Sequence, residues 1–518
     1  MLNKVINIKD IKDKYEYYEL PDHKFEGSFI IIENNANFIT VKIDRYSTIP
    51  FYYYIFKGEF YGSTSLQNLI DNKPSEFKIS LNEKASLFFL KTNTLINDYT
   101  FLNEIYRIPY GCILKFNKNS SEIKITRHWK FSPDKNQLNF NDNLEMIYQS
   151  YENTMFKYIN KKKIAANISG GYDTRQILGF LVNNNIDFTG YTYGVEENPD
   201  QKIAIELSQK YKFQLFFKKW NDIKFYENNF DKNFDDTDGM LAFHHFHPLN
   251  IIEEQKINGE EVVFYGHFLD FFLQAWNFQK ILEKKNRDKS INFIKESFGK
   301  PGHFSVISNN EFANLINIKY KNFFNEILDQ EISTLDYLPP DKIYDALYFI
   351  HHGTRRLLPQ VQAASKYVNY VLPGLNTNFF DDVWSIPGQI KKRNSIKEAL
   401  IKKYYKKVCN VSILFNNYKV DYIGTIPLLS ELYKLLRVLK SNKVGLSKPY
   451  YDFWGKEIYR LIDRDLKNWI DKEINSSPIF DYDFLDKDNY LKFLKSSDVK
   501  LSTLGTFITL SKFIKRNF

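Results

Sequence analysis

A chain of 518 residues holds enough material for about two to four domains, and with 43% hydrophobic, 26% charged and 17% aromatic residues it is not a disordered protein. The net charge of +9 is spread over short lysine-rich runs such as 161–163 and 391–393, which excludes the dense basic stripe of a nucleic-acid module, and no run of about 18 apolar residues offers a membrane span. Cys112 and Cys409 are too few for a disulfide framework or an all-cysteine metal site, and they fit a reducing cytoplasm.

The opening residues, MLNKVINIKDIKDKYEYYEL, lack the apolar core of a signal peptide. The region to about residue 135 reads as β-rich. GSFIIIE and NFITVKI are strand-like and separated by a turn at Asn34, Asn35 and Asn37; FYYYIF and GEFYGST follow Pro50. ASLFFLKTN resembles a short helix, and GCILKFN and KITRHWKF read as two more strands. This pattern predicts a compact β-sandwich.

The period changes near residue 140. NLEMIYQSYENTMFKYI carries apolar residues at helical spacing, with Asn141 or Asp142 as the expected N-cap. KIAANISGG then reads as a strand ending in a tight turn, TRQILGFLVNN as a helix, DFTGYTYGV as a strand, DQKIAIELSQKYK as a helix and EEVVFYGHFLD as a strand and turn. Alternating strands and helices predict βαβ units and a parallel, doubly wound sheet. From about residue 275 the chain reads as helical, with prolines at 339, 340, 359, 373, 387 and 427 marking breaks.

The strongest chemical signal is Ser169-Gly170-Gly171-Tyr172-Asp173-Thr174, between a strand and a helix. Small residues let the backbone approach an anion, and N–H groups at a helix N-terminus face it. Asp173 would repel a bare phosphate, so it makes sense there only with a bridging divalent cation. Thr174 can donate its hydroxyl to a phosphate oxygen. A plain helix cap after a strand is the structural alternative.

SGG-x-D-[ST] resembles the loop signature of the ATP pyrophosphatases, and the flanks resemble the asparagine synthetase family. Asp44-Arg45-Tyr46-Ser47-Thr48-Ile49-Pro50-Phe51-Tyr52-Tyr53 is similar to the family's D-R-x-G-x-x-P-L-Y-Y segment. Tyr61-Gly62-Ser63-Thr64-Ser65-Leu66 and the segment from Phe101 to Pro109-Tyr110-Gly111 are similar to those that follow it. The resemblance implies a pyrophosphatase-loop α/β fold, of the adenine nucleotide α-hydrolase-like kind, with a helical C-terminal part. A reduced β-rich glutaminase-like (Ntn-type) domain would precede it, with domains at 1–135 and 136–518. It further implies that Ser169, Gly170, Gly171, Asp173, Thr174 and Gly266 hold ATP, that Ile168, Tyr193 and Gly194 hold adenine through backbone groups, and that Asp173 and Asp270 share Mg2+. For the catalytic lysine it offers Lys419, in a segment similar to R-x-K-x-x-F-x-x-P, and Lys397 as the fallback.

Two departures from the family stand out. Residue 2 is Leu2 where glutamine-dependent members carry a cysteine nucleophile, and Cys112 reads as a core residue; no glutamine hydrolysis is expected. Gly266-His267-Phe268-Leu269-Asp270 replaces G-E-G-x-D, and Phe271 stands in place of the usual acid. His267 could take a proton from an attacking amine, or simply pack. His244, His245 and His247 form a weaker, H-x-H-type metal motif. His351, His352, Arg355 and Arg356 lie on a helix whose arginines could face phosphate or a carboxylate, or a surface.

The expected reaction is adenylation of a carboxylate by MgATP, with release of pyrophosphate, then attack by ammonia or an amine to give an amide and AMP. The acid would be a small molecule, a sugar acid or a peptide; a partner protein could deliver ammonia, and a homodimer is a further candidate. Nucleic acid and membrane are not expected. The rivals are a non-catalytic binding or scaffold protein of the same fold and another adenylating pyrophosphatase-loop enzyme, such as a sulfur- or tRNA-modifying one.

Overall fold

The protein is described by a computed structural model that covers residues 5–96, 98–160, 162–194, 198–219, 224–269, 273, 280–281, 284, 286–300, 305–391, 395–411, 413–415, 418–420, 466–494 and 501–518. Its N-terminal part holds two antiparallel sheets. Five strands, β1 (Lys14–Tyr18), β2 (Phe29–Asn34), β3 (Phe38–Ile43), β7 (Cys112–Asn117) and β8 (Ile123–Arg127), form one sheet in the order β1-β2-β3-β7-β8. β4 (Tyr52–Phe56), β5 (Glu59–Ser63) and β6 (Tyr106–Arg107) form the other, in the order β5-β4-β6. Alternation sets the layers: Ile30, Ile32, Val41, Leu114 and Phe116 of the larger sheet share a core with Tyr53 and Phe60 of the smaller one. Tyr52 and Tyr54 point the other way and join the larger core that runs through the rest of the protein.

The β2–β3 sheet ends in a turn organised by Asp44. Its carboxylate accepts from the backbone N–H groups of Tyr46 (2.8 Å) and Thr48 (3.1 Å) and from the Thr48 hydroxyl. Ser47 adopts φ +53° there, in the left-handed region where the resembling segment has glycine. Arg107, fully inside, donates to the Ser47 carbonyl at 2.7 Å and to its Oγ at 2.9 Å, holding the strained residue in place.

A third sheet is parallel. β9 (Ile164–Asn167), β10 (Thr189–Gly194), β11 (Gln214–Lys219), β12 (Val262–Phe264) and β13 (Tyr370–Val371) lie in the order β11-β10-β9-β12-β13. Ile164, Ala165, Ala166, Val262, Val263 and Phe264 are buried, as expected of strands covered on both faces. Helices α4 (Tyr172–Asn183) and α5 (Pro199–Tyr211) make the crossovers from β9 to β10 and from β10 to β11. The direction of strand order reverses between β9 and β12, which places a crevice beyond their carboxyl ends.

Some details differ from the sequence reading. The helix after residue 140, α3 (Phe140–Phe156), is capped by Asn139, whose side chain accepts from the N–H groups of Asn141 and Asp142; those two residues lie inside the first turn instead of capping it. β1, β11 and β13 are additions to the sequence expectation: β13 is two residues long, β11 lacks the alternation that marks a half-buried strand, and β1 alternates only over the short run Lys14-Tyr15-Glu16-Tyr17. The C-terminal helix Leu501–Asn517 buries Phe507, Ile508, Leu510, Phe513 and Ile514 on the body of the protein. No helix among the described residues is long and apolar enough to cross a membrane.

Candidate active site

The loop after β9 and the loop after β12 meet at the reversal of strand order. Gly171 ends the first loop in an extended conformation as the N-cap of α4, so Tyr172, Asp173 and Thr174 form the first helical turn. The hydroxyls of Ser169 and Thr174 lie 2.7 Å apart, and the Gly171 N–H donates to Ser169 Oγ at 3.3 Å. Gly266 crosses this turn so closely that a Cβ added to it would stand 3.0 Å from Asp173 Cβ. The positive end of α4 therefore faces the same space as the Asp173 carboxylate.

Lys397 reaches that carboxylate from the far end of the sequence. Its Nζ lies 3.5 Å from Asp173 Oδ1 and 5.6 Å from the centre of the Tyr172 ring. The helix Ser395–Tyr404 delivers it by packing on α4. Tyr405 fits against Gly179, where an added Cβ would come within 2.5 Å of the ring, and Asn183 donates to the Tyr404 carbonyl at 2.8 Å. Buried Arg175 secures the following turn by donating to the carbonyls of Val408 (2.8 Å) and Val411 (3.2 Å). The Lys397 side chain is 4% exposed and that of Asp173 is 29% exposed, so the ammonium is fixed while the carboxylate opens to the cavity.

A cavity of about 310 Å3 opens beside this pair. Ile168, Ser169, Gly171, Asp173, Thr174, Tyr193, Gly194, Gly266 and His267 all line it. The Ile168 N–H is engaged with the Tyr191 carbonyl at 2.6 Å. Gly194 has φ +145° and Asn198 Nδ2 stands 2.5 Å from where its Cβ would be, so only glycine fits there. Tyr193 pairs with Tyr265, and burial raises both phenols, keeping them neutral. His267 packs against Tyr265 with ring centres 4.1 Å apart.

Asp270 and Phe271 lie outside the described residues. Lys419 belongs to the hairpin of β14 (Ile413–Phe415) and β15 (Tyr418–Val420), opposite Leu414; its side chain is outside the described part. His244 and His245 face Asn93 Nδ2, at 3.2 and 2.6 Å, and no group of three metal-ligating side chains occurs among the described residues. Cys112 is buried in the sandwich core, and burial raises its thiol.

The sequence reading passed over Asp200. Its carboxylate lines the cavity and accepts the Gly170 N–H at 2.6 Å, and burial raises its carboxyl. The signal was present in Asn198-Pro199-Asp200, an N-cap followed by an acid in the first turn of a helix that leaves a parallel strand. Asn167, Tyr191, Thr192, Asn198 and Tyr265 complete the wall.

No family model matches the chain. A protein of Methanocaldococcus jannaschii named as an asparagine synthetase (glutamine-hydrolysing) is 21% identical over 321 residues, covering 56% of this chain and 61% of that relative. The chain thus matches less than two thirds of the relative's length. Among solved structures, NMN synthetase from Francisella tularensis aligns with 45% of this chain and 93% of its own, at 11% identity and a TM-score of 0.19, too low to bear on the fold. The likeness to the asparagine synthetases carried by the motifs is therefore also present in a sequence comparison over 321 residues.

Proposed function

We propose that this asparagine synthetase-like chain is an ATP-dependent synthetase that adenylates a carboxylate, releases pyrophosphate and passes the acyl group to ammonia or an amine, forming an amide and AMP. The observation that carries the reading is the 169–174 turn between β9 and α4, at the reversal of strand order, with Lys397 Nζ 3.5 Å from Asp173 and the cavity in front. The α4 N-terminus and the loop N–H groups suit the phosphates, and the wall of Tyr193, Gly194 and Ile168 suits adenine. Lys397 would stabilise the negative charge that grows on the α-phosphate oxygens as the acid attacks; Lys419 remains the other candidate. His267 on the rim would accept the proton of the attacking amine.

The donor set fits a divalent cation: Asp173 offers an accessible carboxylate in a cavity that must also take phosphates, and Asp270 is the proposed second ligand. Bound there, Mg2+ would neutralise phosphate charge. We further propose the division at 1–135 and 136–518, and a cytoplasmic setting. The N-terminal sandwich would be a reduced glutaminase-like domain without that activity, because Cys112 is locked in its core. The test is pyrophosphate–ATP exchange over a panel of carboxylic acids, with glutamine and ammonia compared as donors. Acid-dependent exchange without release of glutamate is the expected result. Binding of ATP with no exchange for any acid would favour a binding protein instead.

A further inference from the structure

The turn that follows β9 carries two adjacent glycines, Gly170 and Gly171, and a backbone without side chains at two successive positions has many conformations open to it. In the structure each of its three N–H groups meets a side-chain oxygen. Ser169 N–H donates to Thr174 Oγ1 at 3.3 Å, Gly170 N–H to Asp200 Oδ1 at 2.6 Å, and Gly171 N–H to Ser169 Oγ at 3.3 Å. Two of these acceptors belong to the turn and the helical turn it feeds. The third makes the shortest contact and comes from Asp200, 30 residues further along the chain.

Asp200 is held by its own helix. It lies in the first turn of α5, whose start is set by Pro199 at the opening position and by the Asn198 side chain, which accepts the Gln201 N–H at 2.8 Å. An acid in that turn also suits the positive end of the helix. The strand ends beneath are tied together: β9 and β10 pair in parallel through Ala166 with Gly190 and Asn167 with Tyr191, and the Ile168 N–H donates to the Tyr191 carbonyl at 2.6 Å. A carboxylate carried on a helix start fixed in this way gives the glycine turn a stationary partner.

We infer that Asp200 is a positioning residue of the nucleotide site: by holding the Gly170 N–H it fixes the Ser169–Gly171 backbone in the shape that presents the Ser169 and Thr174 hydroxyls and the first turn of α4 to the phosphates of ATP. The inference rests on the nucleotide reading of this cavity and supplies the group that orders it. Ser169 and Thr174 both line the cavity, and their hydroxyls, 2.7 Å apart, share one hydrogen bond, which leaves one O–H for a phosphate oxygen. A loop ordered beforehand has less conformational freedom to lose when ATP arrives. The bond from Gly170 is made to a carboxylate, so its loss should weaken ATP binding by about tenfold or more.

The test compares wild type with Asp200→Ala, which removes the acceptor, and Asp200→Asn, which keeps an acceptor oxygen and removes the charge. Hydrogen–deuterium exchange of peptides spanning residues 168–172, without nucleotide, reports on the loop itself; calorimetry with ATP and Mg2+ reports on its use. In Asp200→Ala the loop amides should exchange about tenfold faster or more and ATP should bind about tenfold more weakly, with a thermal midpoint within a few degrees of wild type. Asp200→Asn should recover most of the protection from exchange, a rescue that follows the acceptor oxygen and not overall stability. Loop exchange at the wild-type rate in Asp200→Ala, or ATP bound by it at least as tightly as by wild type, would overturn the role. Protection lost in Asp200→Ala with no binding of ATP even by wild type would count against the nucleotide reading and leave Asp200 as the anchor of the loop.

Discussion

Lys397 Nζ stands 3.5 Å from Asp173 Oδ1, across 224 residues of sequence. A buried ammonium and a cavity-facing carboxylate are thereby set side by side where phosphates are proposed to bind. On the proposed reading the carboxylate would turn to a cation, and the lysine would meet the charge that develops later.

Asp173→Asn removes that charge at nearly constant volume. Pyrophosphate–ATP exchange should become undetectable while the thermal midpoint stays within a few degrees of wild type, because Asp173 is an accessible first-turn residue of α4. Exchange at the wild-type rate would remove Asp173 from the site.

Lys397→Ala should bind ATP almost as well as wild type but form AMP about a hundred- to a thousand-fold more slowly, the usual cost of losing one preorganised donor. Calorimetry gives the first quantity and quenched-flow measurement of AMP the second. Lys419→Ala is the control. If it loses the chemistry while Lys397→Ala keeps it, the role belongs to the β14–β15 hairpin.

Gly266→Ala places a methyl group 3.0 Å from Asp173 Cβ, a short-side-chain atom with little freedom to move. The carboxylate should shift by a few tenths of an ångström, and exchange should fall about tenfold or more, since small displacements of catalytic groups are costly. Denaturant midpoints should change little. A fully active variant would show that the two loops yield independently.

Burial pushes the Asp44 carboxyl from 3.8 up to about 6, against the lowering effect of its bonds from Thr48 and Tyr46. The folded protein then holds the proton more tightly than the unfolded chain. Between pH 3.8 and about 6 unfolding releases a proton, so this group's contribution to stability falls as pH rises and is level above about 6. The drop should be about 3 kcal/mol at about 1.4 kcal/mol per pKa unit. Urea unfolding of wild type and Asp44→Asn at about pH 4 and pH 6.5 checks it: the variant should lack that part of the slope, and equal slopes would contradict it.

What the sequence determined by itself was local. Ser169 to Thr174 announces its turn because small residues and a helix start act over a few bonds, and the alternation of strand-like and helix-like segments after it predicts βαβ units and a parallel sheet. Cys112 was readable as a core residue because β7 alternates. The tertiary structure alone decided which distant groups meet. Lys397 reaches Asp173 only because Gly179 lets Tyr405 seat its helix on α4. Asp200 meets Gly170 only because β9 and β10 pair in parallel. His351 and Arg355 are buried while His352 and Arg356 are half-buried, two pairs at four-residue spacing whose burial is set by what packs on each face of the helix. Such meetings depend on packing between elements far apart in the chain, where geometry, and not spacing along the backbone, sets who is neighbour to whom.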